Sequence, residues 1–182
     1  MKVSRIQLIK LINEVIGEVG ELSNIIPVTI TGKNFNTDQE SLALFSLPTK
    51  DDTSIEGSII ITRVPPSELD RIKLPPVAAQ EQVYNIGYDL NGDDTQYVKT
   101  DYKTLISILK AVAEFTIEHL SKVGGDVSYL IGATDKLSGA HIQDPQKSSL
   151  YQAIISKNLP IGWRAGNVKL DGQEIYYISN KK

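Results

Sequence analysis

A chain of 182 residues with 41% hydrophobic and 23% charged side chains, and no repeat or low-complexity run, can bury one core and is too short to need two, which predicts a single domain over 1–182. Its formal net charge of −3 excludes the basic field on which non-specific nucleic-acid affinity depends. The absence of cysteine excludes disulfides, thiolate zinc sites and a cysteine nucleophile, in keeping with a reducing cytoplasm.

The chain opens on MKVSRIQLIKLINEVIGEVGEL, where Lys10, Asn13 and Glu14 interrupt what would be the apolar core of a signal peptide. No apolar run approaches the roughly 20 residues that span a bilayer, so the expectation is a soluble protein without a secretory leader and without a membrane partner. Ser4 caps a helix over 4–20, with Leu8, Leu11, Ile12, Val15, Ile16 and Val19 on one face. Such a helix serves either a membrane surface or its own sheet, and a polar face that is not basic favours the sheet.

Residues 26–81 read as a variable region. Val28 to Thr31, Ser41 to Leu47 and Ile55 to Arg63 are short β-branched or aliphatic segments bounded by turn formers, which predicts a meander. Pro65-Pro66 closes it, and Ser67 to Ala79, with Pro75-Pro76, predicts a surface excursion or a short turn of helix followed by extended chain.

The segment 82–180 forms the expected core. Tyr84, Ile86, Tyr88 and Leu90 alternate with Val83, Asn85, Gly87 and Asp89, the period of a strand. Asn91-Gly92 suits a type I′ hairpin, so Thr95 to Val98 is expected to add a short strand. Thr100 or Asp101 caps a helix to about Lys122, with Lys103, Ser107, Lys110, Glu114, Glu118 and Ser121 as its polar stripe and Gly124-Gly125 as its stop. Val127 to Ala133 is nearly all apolar, as a strand covered on both faces should be. A strand, long helix and strand in this order predict a parallel, adjacent pair. After a polar loop over 134–147, Leu150, Tyr151, Ile154 and Ile155 mark a helix. Trp163 to Leu170 and Gln173 to Ser179 then form a hairpin turned at Asp171-Gly172. The fold class is therefore α+β: a mixed, mostly antiparallel twisted sheet with a central β-α-β crossover and flanking helices.

The candidate chemistry is thin. Asp89-Leu90-Asn91-Gly92-Asp93 opens like a calcium loop, but Asp94 stands where the glycine belongs and Thr100 where the glutamate belongs, so a hairpin turn explains it better. His119 falls near the apolar side of the long helix and His141 in a polar loop, without acidic partners at ligand spacing, so no metal is expected. Ser148-Ser149 lacks a nucleophile elbow. Lys99, Lys103 and Lys110 with Tyr97 and Tyr102 make a short stripe that neighbouring aspartates cancel. Asp89 and Glu56 are the carboxylates placed to act as a general base, and otherwise are solvated strand residues.

From Ser41 onward this order of elements resembles the GNAT acetyltransferase-like fold, and more closely the divergent GNAT-like proteins that bacteriophages encode. The resemblance rests on Gly92-Asp93-Asp94, Tyr97-Val98-Lys99-Thr100 before the long helix, Tyr129 to Thr134, Leu150-Tyr151 and the final SLYQAIISKNLPIGW…DGQEIYYISN. It implies acetyl-CoA between the strands at 82–90 and 127–133, held near Gln96, Thr100, Asp101 and Tyr102, with Tyr151 as the general acid toward the departing thiolate. Where the family has a glycine-rich pyrophosphate loop, this chain reads Thr95-Gln96-Tyr97-Val98-Lys99-Thr100-Asp101. Asp93, Asp94 and Asp101 put negative charge near the helix end that would receive a polyanion, opposing the favourable dipole term of about 0.3–1 kcal/mol. The resulting expectation is a non-catalytic protein without a cofactor. It would act through protein contacts as a virion-associated or assembly component, in the host cytoplasm or the particle. An active acetyl-CoA-dependent N-acyltransferase and an inhibitor of a host factor are the alternatives.

Overall fold

The computed structural model describes residues 26–48, 54–76, 78, 81–90, 102–131, 162–170 and 173–181, and of 102, 103, 105, 169, 170, 173 and 174 the backbone alone. The expected helix over 4–20, the Asn91-Gly92 hairpin with its strand at 95–98, the loop at 134–147, the helix at 150–155 and the Asp171-Gly172 turn lie outside the described residues.

Among the described residues seven strands form one sheet: β1 (Thr29–Asn34), β2 (Glu40–Pro48), β3 (Ser54–Arg63), β4 (Val83–Leu90), β5 (Ser128–Ile131), β6 (Arg164–Leu170) and β7 (Gln173–Ser179). Their order is β1-β2-β3-β4-β5-β7-β6. The first three make the expected antiparallel meander, and β4 continues it by pairing antiparallel with β3. β4 and β5 run parallel, from Val83 opposite Ser128 to Ile86 opposite Ile131. The crossover between them contains α2 (Tyr102–Val123), and β7 lies antiparallel between β5 and β6. The fold is α+β with a mixed sheet, as the alternation of periods predicts.

One face of the sheet lies under α2. Ala43, Phe45 and Leu47 of β2, Ile59 and Ile61 of β3, Tyr84 and Ile86 of β4, Tyr129 and Ile131 of β5, and Tyr176 and Ile178 of β7 point to this side. They pack against Ile108, Ala111, Val112 and Phe115 of the helix. Full burial of each larger side chain contributes about 1.5–3 kcal/mol, so this layer supplies most of the driving force. Phe45 sits directly opposite Gly57 in the β2–β3 ladder. A Cβ built on Gly57 would stand 2.6 Å from Cζ of that ring and also meet the Asp89 carbonyl oxygen. Glycine is what lets the ring lie down across β3.

The other face has a smaller core. Pro65 is extended and Pro66 opens α1 (Pro66–Ile72), a position where the missing proline N–H costs nothing. The helix stops at Lys73, whose φ of 36° leaves the helical region. Leu69, Ile72 and Leu74 cover Val64, Val83, Leu130, Val168, Ile175 and Tyr177. The Pro-rich segment thus closes the second face, and Val83 of β4 is buried along with Tyr84.

The polar stripe expected along α2 needs one correction. Lys110, Glu114, Glu118 and Ser121 are exposed, but Ser107 is buried. It follows Thr104 by three residues and precedes Ile108 and Ala111, so it shares the arc that faces the sheet. Ile117 takes a place in solvent instead, 46% exposed.

Gly124 and Gly125 carry φ of +67° and +71°, which turns the chain from α2 into β5 where a Cβ would be strained. Asn180 fastens this corner: its Oδ1 accepts from the Val127 N–H at 2.6 Å and its Nδ2 donates to the Gly125 carbonyl at 2.8 Å.

Candidate functional site

A buried cluster of titratable side chains lies between α2 and the parallel pair. Tyr84 and Tyr129 are register partners in β4 and β5, so their rings emerge side by side on the helix-covered face, with centroids 5.6 Å apart. His119 follows Phe115 by four residues, which brings its ring down the same side of α2. It meets Tyr84 edge-on at 4.8 Å and Tyr129 edge-on at 5.7 Å. Trp163, just ahead of β6, stacks on Tyr129 at 6.3 Å.

The polar atoms of this cluster are tied inward. His119 Nδ1 and the Tyr129 hydroxyl share a hydrogen bond of 2.8 Å. The Tyr84 hydroxyl donates to the Thr37 carbonyl at 2.9 Å, which draws the β1–β2 loop onto the cluster. His119 is 0% exposed, and its Nε2 has no hydrogen-bond partner among the described residues. Burial lowers the imidazole pKa to about 4, because the surroundings offer no solvent for the charged ring. Burial likewise raises both tyrosines, with Tyr84 adding to the effect on Tyr129. Beside Tyr84, Arg63 lowers and Asp38 raises the phenol in smaller measure. At neutral pH the cluster is therefore an uncharged imidazole between two protonated phenols. It holds no nucleophile or base in contact with solvent, and its chemistry is that of a packed polar core.

The general-base candidates fall on the opposite face. Asp89 pairs with Ser58, and Glu56 with Ser46, so both carboxylates point away from α2. Asp89 is half-buried and Glu56 exposed. They are diagonal neighbours on that face and are separated by the sheet from His119, Tyr84 and Tyr129. Lys110, from the expected basic stripe, is exposed and pairs with Glu114 one turn on at 3.8 Å.

Of the residues that the resemblance implies for coenzyme binding and acid catalysis, Gln96, Thr100, Asp101 and Tyr151 lie outside the described residues. Tyr102 is the first residue of α2, described by its backbone alone. No two of them are brought together by the described structure. The juxtaposition that sequence reasoning missed is His119 with Tyr84 and Tyr129. Each was legible as an inward residue, but the contact required the β4–β5 register, which no local pattern encodes. Among the described residues no three His, Cys, Asp or Glu side chains cluster as a metal site, and no helix is long and apolar enough to cross a membrane.

No protein-family model, no curated protein and no solved structure matches the chain.

Proposed function

We propose that the chain is a GNAT-like scaffold of the kind encoded by bacteriophages, acting through protein contacts as a virion-associated or assembly component, without acyl transfer. The observation that carries this reading is the strand order β1-β2-β3-β4-β5-β7-β6 with β4 and β5 as its parallel pair. Of this arrangement, the parallel β4–β5 pair is the part that the resemblance implies. The non-catalytic half is supported by where the titratable groups lie. His119, Tyr84 and Tyr129 are closed in the core, and Asp89 and Glu56 sit on the far face. The sequence ahead of α2 adds acidic residues where a pyrophosphate would need backbone N–H groups and glycine.

The competing reading, an acetyl-CoA-dependent N-acyltransferase with Tyr151 as acid, is favoured by the parallel β4–β5 pair, between whose strands the resemblance implies the coenzyme. Titrating acetyl-CoA and coenzyme A into the protein, by calorimetry and by thermal denaturation, separates the two. The expected result is no binding heat and an unshifted transition. A ligand at a hundredfold excess over its Kd would stabilise the fold by about 2.7 kcal/mol, and that outcome overturns the non-catalytic reading. Footprinting of assembled particles tests the virion role, and exclusion from them would overturn it.

A further inference from the structure

We infer that His119 is an acid-sensitive latch that holds the C-terminal half of α2 and the β1–β2 loop against β4 and β5, and releases them on protonation.

The geometry leaves a cation no shelter. Nδ1 is shared with the neutral Tyr129 hydroxyl at 2.8 Å, and Nε2 has no partner among the described residues. An imidazolium needs acceptors at both nitrogens, so protonation leaves a buried N–H and a buried charge uncompensated. The described elements around His119 bring no counter-charge to it. From β4 comes the Tyr84 ring and from β5 the Tyr129 ring, both neutral phenols. From the β1–β2 loop, Thr37 reaches only the Tyr84 hydroxyl, with Asp38 and Arg63 paired beyond it at 3.5 Å. On α2 itself, Glu118 is held by Lys33, with its two oxygens at 2.6 and 2.7 Å, and Lys122 lies 5.8 Å over the Phe35 ring. Trp163 contributes an indole stacked on Tyr129. Among the described residues no carboxylate reaches the imidazole.

The same contacts define what opens. The far half of α2 is held by Phe115 against Phe35 at 5.1 Å, by Glu118 to Lys33 and by His119 itself. Release of that half uncovers Phe35, Tyr84 and Tyr129 as one aromatic surface, which a partner would meet in acid and not at neutral pH.

The direction follows from linkage. A packed ring that titrates at about 4, against 6.5 for a free one, favours the closed form fully above the free value. That preference is lost as pH falls from 6.5 toward 4. The opening constant therefore rises about 30-fold between about pH 7.5 and about pH 5, where ordinary carboxylates still carry most of their charge.

Two measurements test this. Native-state hydrogen exchange, corrected for the intrinsic rate, is expected to show that rise in residues 115–123 and 35–39 and not in the β2–β3 ladder. The rise should be absent in His119→Gln, which stays neutral at every pH. A uniform rise over the whole sheet, or a rise that persists in the variant, overturns the latch. If the variant does not fold, the wild type still decides: the ring-proton shifts of His119, assigned with a His141→Gln protein, should titrate well below the ordinary value. A midpoint near 6.5 overturns the proposal.

Discussion

Replacing Gly57 with alanine sets backbone propensity against packing, and the structure says which wins. An alanine in a strand at a compatible site gains about 0.4–1 kcal/mol over glycine, because the unfolded chain loses freedom. At Gly57 the added methyl would lie 2.6 Å from Phe45 Cζ and 3.0 Å from its Cε1, and would press on the Asp89 carbonyl oxygen of the neighbouring strand. The ring belongs to a fully packed core residue and the carbonyl to the β4 backbone, so neither yields cheaply. Overpacking of this kind costs about 1–3 kcal/mol. With a backbone atom in the contact, the upper end applies and outweighs the propensity gain, leaving a net loss of about 2 kcal/mol. For a chain of this length that is a fall in Tm of about 4–8 °C. Urea unfolding and calorimetry of Gly57→Ala measure both quantities. Phe45→Leu in the same background should recover about 1 kcal/mol of coupling by removing the far edge of the ring. A variant as stable as the wild type, or more so, would refute the packing argument.

Tyr129→Phe removes the hydrogen bond that ties down the buried imidazole among the described residues and should cost about 1–3 kcal/mol in urea unfolding. A loss too small to resolve would mean that the hydroxyl is not His119's partner in solution. Asn180→Ala strips the side-chain acceptor from the Val127 N–H and the donor from the Gly125 carbonyl. A cost of about 1–2 kcal/mol is expected, with faster exchange of the Val127 amide; unchanged exchange would show that this corner holds without the clamp. The Lys33–Glu118 pair has short contacts, but its side chains are 33% and 47% exposed. Lys33→Met should therefore cost less than about 1 kcal/mol, an effect that fades at high salt. A larger, salt-insensitive loss would point instead to the lysine stem packed over α2.

Much of the sheet was legible because its strands carry strong local patterns. The aliphatic composition of Ser41 to Leu47 and the alternation in Tyr84 to Leu90 gave β2 and β4 to within two residues, and the crossover length implied that β4 and β5 are parallel neighbours. What local patterns do not carry is how elements from distant parts of the chain meet. β7 between β5 and β6, α1 closing the second face, and Ser107 turned inward all depend on tertiary contacts. The cluster around His119 is the same kind of fact: three inward residues on three elements become a polar site only once the register is set. The residues that the resemblance ties to coenzyme chemistry sit in connections, where sequence patterns say least about geometry.

The place of β7 in the sheet also imposes an order of assembly on the chain as it is made. β1 to β4 pair only with strands adjacent in sequence, so that half can form as soon as residue 90 is free of the ribosome. β5 is different: its second edge is filled by Gln173–Ser179, and the Val127 amide is capped by Asn180. A nascent chain therefore carries β5 with one edge bare while about fifty further residues are synthesised, several seconds at ordinary elongation rates. That interval leaves the bare edge of β5 open to mispairing until Gln173–Ser179 is made.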